Sequence, residues 1–349
     1  MTEYLIILFL LIFSIFTNKK FILIPTLLYM LFIGCFRGES VGTDIATYYN
    51  NFIYSRSDSK SWDAGTYFEP GFTYLLLFIK YYVSKNYMNY ISILFFYTFS
   101  ITTWFFLKYS KHAPISFFIL YTLGAYFFFM NGMRQAFAFS TCLIALNYYL
   151  KTQKVSLYLS CIILITILFH NSCIIFCFVP YLRQIANKIN LTKQRIYIAI
   201  AISLIFATIL RGTLLNIFGF LLPLLGRFST YVMNAEEQGL NMIFFTTGAC
   251  LVIVHFTKDI KNLFFLSYVL GIFCYNILAS FSPTAPRMAL HLTFLAGICY
   301  SITYSDLKGS KKTTYLIAII ILGLIHFSYA YLIKGYEGIL PYAFRNNIL

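Results

Sequence analysis

Long apolar stretches recur from one end of this 349-residue chain to the other, and the short gaps between them alternate in charge: lysines crowd every second gap, arginines and acids take the rest. The stretches fall near 3–17, 20–36, 70–84, 88–107, 113–130, 132–150, 155–182, 195–211, 240–256, 262–281, 287–304 and 313–333. A helix needs roughly 20 mostly apolar residues to cross hydrocarbon. In lipid every backbone N–H and C=O has to be satisfied within the chain, which leaves helices and closed barrels as spanning structures. These runs are continuous and do not alternate every second residue, so the barrel reading falls away. With 60% hydrophobic and 11% charged residues and a mean hydropathy of +0.76, the chain has too few charges to cover a soluble surface. The expectation is an all-α, polytopic helical integral membrane protein. It has about 10–12 hydrophobic helical segments, with short or re-entrant segments on the outer face, in a single transmembrane domain over 1–349.

Charge bias gives the threading a direction. The gaps at Lys19/Lys20, Lys108/Lys111, Lys151/Lys154, Arg183–Arg195, Lys258/Lys261 and Lys308/Lys311/Lys312 hold 15 of the 26 Lys and Arg residues, and only Asp259 and Asp306 among the 11 acids. The positive-inside rule makes that side cytoplasmic. The other side holds 11 basic residues, seven of them Arg, with nine acids. This works only if 70–84 dips or lies along the outer surface, and if 155–182 goes out and returns with His170 near its outer turn. Both termini then face outward, and the larger outer loops are 37–69 and 212–239, the second containing the short apolar run Ile217–Leu225. Irregular backbone at membrane depth is tolerated beside a water-filled cavity, so a break at His170 hints at one. The formal charge of +15 is dispersed in these gaps and does not mark a nucleic-acid partner. The eight cysteines (35, 142, 161, 173, 177, 250, 274, 299) lie in apolar runs without a CxxC pair and read as small buried hydrophobes. The first run is followed by Asn18-Lys19-Lys20 with no small-residue cleavage site, and reads as a retained helix.

Four constellations could carry chemistry on the outer side. The first is Arg37-Gly38-Glu39-Ser40-Val41-Gly42-Thr43-Asp44, followed by Tyr48 and Tyr49 and closed by Glu69-Pro70-Gly71-Phe72. Arg37 is either an interfacial anchor or a substrate contact, and Asp44 either an N-cap or a general base. Pro70 after Glu69 marks a helix start with its carboxylate near the positive dipole end. The second is Asn131-Gly132-Met133-Arg134-Gln135. A guanidinium between two apolar helices needs water, protein or an anion. Bidentate contacts suit Arg134, with Gln135 beside it, to a pyrophosphate, the alternative being an ion pair with Asp44 or Glu69. The third is His170 in a polar break, a general base or sugar contact if it is not a packed core histidine. Histidines 112, 255, 291 and 326 have no such context. The fourth is Arg211, Arg227 and Arg287: Arg211 reads as an anchor, Arg227 beside Tyr231 as a sugar-groove residue, and Arg287 after Ser282-Pro283-Thr284-Ala285-Pro286 as an anion contact at a helix start. Tyr48, Tyr49, Tyr67 and Tyr342 are placed for carbohydrate stacking. No DxD pair, paired His, P-loop or GxSxG elbow is present, so a metal, a cofactor, ATP or a serine nucleophile is not expected.

Arg37 with Gly42-Thr43-Asp44 and Tyr48, Glu69-Pro70-Gly71-Phe72, Met133-Arg134-Gln135 with Ala138, Phe169-His170-Asn171-Ser172 and the late Pro341-Tyr342 resemble, in this order, the EpsG family of bacterial membrane proteins, similar to Wzy-type polysaccharide polymerases. The resemblance implies a metal-independent glycan polymerase in the bacterial cytoplasmic membrane. It would work at the outer face, moving a growing glycan from undecaprenyl diphosphate onto the next lipid-linked repeat unit to make O-antigen, capsule or exopolysaccharide. Donor and acceptor lipids and the bilayer are then its partners, with a chain-length regulator as a further one. In that reading Arg134 and Arg287 bind the donor pyrophosphate, Arg37 supports a substrate, Asp44 or His170 is the base, and Glu69 orients an arginine or the acceptor sugar. A flippase for lipid-linked oligosaccharide would alternate polar residues between both faces, whereas here the cytoplasmic gaps are short and lysine-dominated. An O-antigen ligase would carry a larger outer loop, and a membrane acyltransferase a histidine reachable from the cytoplasm.

Overall fold

The computed structural model describes residues 1–17, 20–55, 68–209, 240–279 and 285–345. Helices dominate them, and the β-structure among them is one isolated antiparallel bridge, Arg37 with Phe344. The chain divides into two compact units. The first comprises Met1–Tyr109, Ala113–Cys177 and Phe327–Leu349, and the second Ser110–His112 and Phe178–His326. The loop 212–239, with Arg227, Tyr231 and the run 217–225, lies outside the described residues, as do Arg211, Tyr67 and the 282–284 part of the Pro-rich stretch.

The first unit contains α1 (Thr2–Thr17), α2 (Lys20–Cys35), α3 (Ile45–Tyr54), α4 (Pro70–Phe78), α5 (Tyr87–Tyr109), α6 (Ala113–Thr122), α7 (Ala125–Asn131), α8 (Met133–Thr152) and α9 (Val155–Leu168). The 23-residue α5 is long and apolar enough to cross a membrane, and α6 with α7 passes the same test as one span bent by 53°. The bend falls at Gly124, where φ is +93° and a Cβ would lie 2.2 Å from the Tyr331 hydroxyl. The 20-residue α8 is about 30 Å long, the thickness of a bilayer's hydrocarbon core. Arg134 lies in its first turn and Lys151 in its last. Helix α5 runs the same way, from Tyr87, whose hydroxyl donates to the Ile45 carbonyl, to Lys108, which donates to Asn147 near the end of α8. Helix α2 runs from Lys20 towards Arg37. Arginines and acids therefore share one end of this unit and lysines 108 and 151 the other. The first turn of α1 lies at the arginine end: Tyr4 reaches the Met130 sulfur, and its ring meets Tyr342.

Both irregular stretches have physical causes. Segment 70–84 is a nine-residue helix continued by a five-residue π-turn, Ile79–Val83, about 21 Å in all and too short to span. Its Lys80 ammonium donates to the carbonyls of Phe52, Ile53 and Ser55 at 2.5, 2.9 and 3.0 Å. It thus satisfies the orphan carbonyls that end α3 and complements the negative end of that helix. In 155–182, α9 stops at Leu168 and a 3₁₀ helix begins at Asn171. The Tyr158 hydroxyl donates to the Phe176 carbonyl at 2.9 Å, 18 residues on. A straight α-helix would separate those residues by about 27 Å, so the chain turns back at Phe169-His170.

The second unit contains α10 (Leu182–Lys188), α11 (Lys193–Thr208), α12 (Leu240–Phe256), α13 (Leu263–Ala279), α14 (Arg287–Thr293), α15 (Ala296–Asp306) and α16 (Gly309–Phe327). Arg287–Asp306 and Gly309–Ile333, which continues α16, also pass the spanning test. Lysines gather at one end here too. Lys111 pairs with Asp306 at 2.7 Å, Lys258 donates to the Asp306 carbonyl at 2.7 Å, and Lys193 donates to the His255 carbonyl at 2.7 Å. Midway along, the buried Asn276 amide donates to Ser203 and Thr247, both at 3.0 Å, a polar tie between helices where no water competes.

Gly71 lets α4 approach the end of α9: a Cβ there would lie 2.7 Å from both the Cβ and the carbonyl oxygen of Leu168. Gly71→Ala is expected to destabilise the purified protein by about 1–3 kcal/mol through overpacking. Gly248→Ala meets nothing within 4 Å and should be neutral or mildly stabilising from helix propensity. Thermal unfolding in detergent compares the two, and equal melting shifts would contradict the packing.

Candidate active site

The site is built where α7 breaks and α8 begins. Gly132 has φ −79° and ψ 51°, off helical geometry, and a Cβ there would lie 2.5 Å from the Phe128 ring. The break frees backbone groups that a continuous helix would satisfy. Arg37 meets one of them. Wholly buried two residues beyond α2, its guanidinium donates to the carbonyls of Gly34 at 3.0 Å and Met130 at 2.8 Å and lies 3.1 Å from the Met133 sulfur. Burial pulls its pKa below the usual guanidinium value, and it keeps its proton. So placed, Arg37 ties α2 to the α7–α8 break and presents no face to a substrate.

Asn131 is the second tie. Only 2% exposed, its amide donates to the Thr43 hydroxyl at 2.8 Å and to the Glu337 carboxylate, while its carbonyl accepts the Asp44 backbone N–H at 2.7 Å. Asp44 thereby opens α3 in the N-cap position, with its backbone carbonyl accepting from Thr47 and Tyr48, although no side-chain cap bond forms. As a whole residue Asp44 is half-buried. Gly42, at φ +120°, makes the tight turn before it.

Arg134 in the first turn of α8 pairs with Glu69 at 2.7 Å, and its guanidinium carbon stands 4.5 Å from the centre of the Phe68 ring. The two side chains are 22% and 13% exposed. Of the partners weighed from sequence for Arg134, the structure pairs it with Glu69. Gln135 follows it, half-buried. The Arg134 backbone N–H donates to the Tyr48 hydroxyl at 3.1 Å. Tyr48 is 5% exposed and its ring lies against Phe68 and Phe72, so it supports α8 and offers no ring face to a sugar. Tyr49, at 45% exposed, keeps such a face.

His170 joins through its neighbours. Phe169 packs tilted against Phe137 of α8 with ring centres 5.1 Å apart, and Leu168 touches Gly71, two residues from Glu69. Phe68, Tyr48, Phe72, Met133, Phe137 and Phe169 belong to one apolar cluster under the polar groups. The His170 Nδ1 accepts the Ser172 backbone N–H at 3.2 Å and lies 2.6 Å from the Ser172 hydroxyl. In neutral imidazole that leaves the proton on Nε2.

The C-terminal segment closes the same end of this unit. Gly38 and Arg345 N–H groups bond the carbonyls of Ala343 and Phe36 at 2.7 and 3.1 Å, and Gly42 and Thr43 N–H groups bond those of Gly338 and Glu337 at 2.9 and 3.2 Å. Tyr342 donates to the Ile33 carbonyl at 3.0 Å and its ring is edged by Tyr4 and Phe344, which makes it a clamp on this segment. Sequence reasoning missed Asn131 as a hub, Lys80 as a cap, and Glu337. The signal for Glu337 was an acid between two glycines, Gly335 and Gly338; in the structure all three take positive φ (65°, 63° and 57°). A left-handed conformation costs a non-glycine residue roughly 1–2 kcal/mol.

Arg287 belongs to the second unit. It is the first residue of α14, at the opposite end of α14–α15 from the lysines around Asp306. Among the described residues, no three His, Cys, Asp or Glu side chains converge as a metal site requires.

The two arginines of the first unit should behave differently. Arg37→Met strands two buried carbonyls and is expected to cost about 2–5 kcal/mol, read as a large fall in melting temperature and yield. Arg134→Met removes a partly exposed pair and should leave melting within a few degrees of the parent. The opposite ranking would contradict the assignment.

No curated protein and no solved structure matches the chain. A family signature does, over residues 19–344, nearly the whole length and including every motif described above. The chain belongs to the EpsG family, whose members are Wzy-like, which supports a membrane polysaccharide-polymerase-like function.

Proposed function

We propose that this protein extends a glycan on a polyprenyl-diphosphate carrier at the outer face of a bacterial cytoplasmic membrane. The donor is the growing chain on undecaprenyl diphosphate, and the acceptor is the next lipid-linked repeat unit. One observation carries this reading: a half-open Arg134–Glu69 pair over an aromatic floor, at the end of α8 opposite Lys151. By the positive-inside rule the lysine end of this unit is cytoplasmic, which turns Arg134 outward.

An acceptor hydroxyl attacks the anomeric carbon of the donor as the bond to the pyrophosphate oxygen breaks. That oxygen leaves with the electron pair, so its growing charge calls for a preorganised cation and no strong general acid. Arg134 supplies it through two parallel N–H donors, with Glu69 orienting the guanidinium. The acceptor proton goes to a base. Asp44 is the better candidate, because the His170 Nδ1 already accepts a backbone N–H; the Nε2–H of His170 then donates to a sugar or phosphate oxygen. Arg37 positions the helix break and does not touch substrate. Tyr49 offers its open ring to a sugar face.

Arg134→Ala and Asp44→Asn, expressed at parental levels in a strain lacking the native copy, are expected to leave single repeat units where the parent gives a polymer ladder. Arg134→Lys keeps the charge without the bidentate fork and should give a weak, short ladder. A parental ladder from Arg134→Ala would remove the pyrophosphate role, and from Asp44→Asn the base.

A further inference from the structure

Resting on the polymerase reading above, we infer that Glu337 is a positioning residue of the site, acting through the Asn131 amide on the Thr43–Asp44 backbone. An asparagine amide has a donor side and an acceptor side that a half-turn exchanges. Thr43 does not distinguish them, since a hydroxyl can donate or accept. The other two partners do: the Asp44 N–H only donates, and an ionised Glu337 only accepts. Together they fix which way Asn131 points, and so hold the backbone of Asp44 at the start of α3.

The backbone at Glu337 argues that the side chain has a use. Its φ of 65° and ψ of 0° lie in the left-handed region, where glycine fits better than any residue with a Cβ. The flanking left-handed positions are glycines, and the turn is pinned by the Thr43 and Gly42 N–H groups. A carboxylate held in such a turn, 206 residues from Asn131 in sequence, places strain where the site gains orientation.

The test separates a support from a mere brace. Glu337→Gly relieves the backbone but strands an N–H of the buried Asn131 amide, so melting should stay within a few degrees of the parent, while polymer output falls roughly tenfold or more from the loosened amide. Glu337→Gln still offers an amide oxygen to Asn131 and should keep most of the ladder. Asn131→Asp sets carboxylate against carboxylate and should lose it, and the double variant with Glu337→Gln, which supplies the missing donor, should recover it. A parental ladder from Glu337→Gly, or a double variant no better than Asn131→Asp, overturns the inference. So does a Glu337→Gln protein as inactive as Glu337→Gly, because Glu337 would then act on the substrate itself. Arg134→Ala runs alongside: a normal ladder there sinks the polymerase reading, whereas its loss beside a normal Glu337→Gly ladder sinks this inference alone.

Discussion

A carbonyl oxygen freed inside a membrane protein has no water to turn to, and the Arg37 guanidinium is what makes the break between α7 and α8 sustainable. One buried side chain answers carbonyls at the end of α2 and at Met130, each of which would cost about 1–3 kcal/mol if left unmet. Because Arg37 carries that demand, the chain can interrupt a long apolar path at Asn131-Gly132 and start a new helix with Arg134 in its first turn. The interruption exposes polar groups in a place that otherwise favours none. Asn131 then gathers the loop after Arg37 and the C-terminal turn around the same point.

Two kinds of arginine follow from this. Arg37 is enclosed and binds the protein's own backbone; Arg134 is partly exposed, lies over the Phe68 ring and pairs with the Glu69 carboxylate. Glu69 keeps Arg134 neutralised without burying it, a state that an anionic ligand with more oxygens can compete for. The apolar cluster from Tyr48 to Phe169 sets the floor of this arrangement and excludes water beneath it, which strengthens each charge–charge contact above.

Much of the plan was legible in the sequence because it rests on long-range averages. Helical crossings follow from apolar length. Lys80 and the break at His170 stood out as exceptions to that pattern, and Arg134 with Glu69 as charges too costly to leave alone. The hub was not legible. Asn131, Thr43 and Glu337 meet only because three chain ends with irregular backbone converge, and nothing in local spacing predicts contacts 88 and 206 residues apart. Arg37 stayed open for a related reason: an arginine after a helix looks the same in sequence whether its partners are lipid phosphates, a substrate or carbonyls. Tyr48 and Tyr342 looked like sugar platforms, yet their hydroxyls serve the backbone of α8 and α2.

Sidedness is the point on which outward-facing chemistry turns. On a cysteine-free background, Glu39→Cys marks the arginine end of the first unit and Lys151→Cys the lysine end, both at exposed positions. With a membrane-impermeant maleimide on intact spheroplasts, position 39 should label at once and position 151 only after the membrane is opened. Labelling of 151 from outside, with 39 protected until lysis, would turn the site towards the cytoplasm and contradict a polymerase working on the outer leaflet.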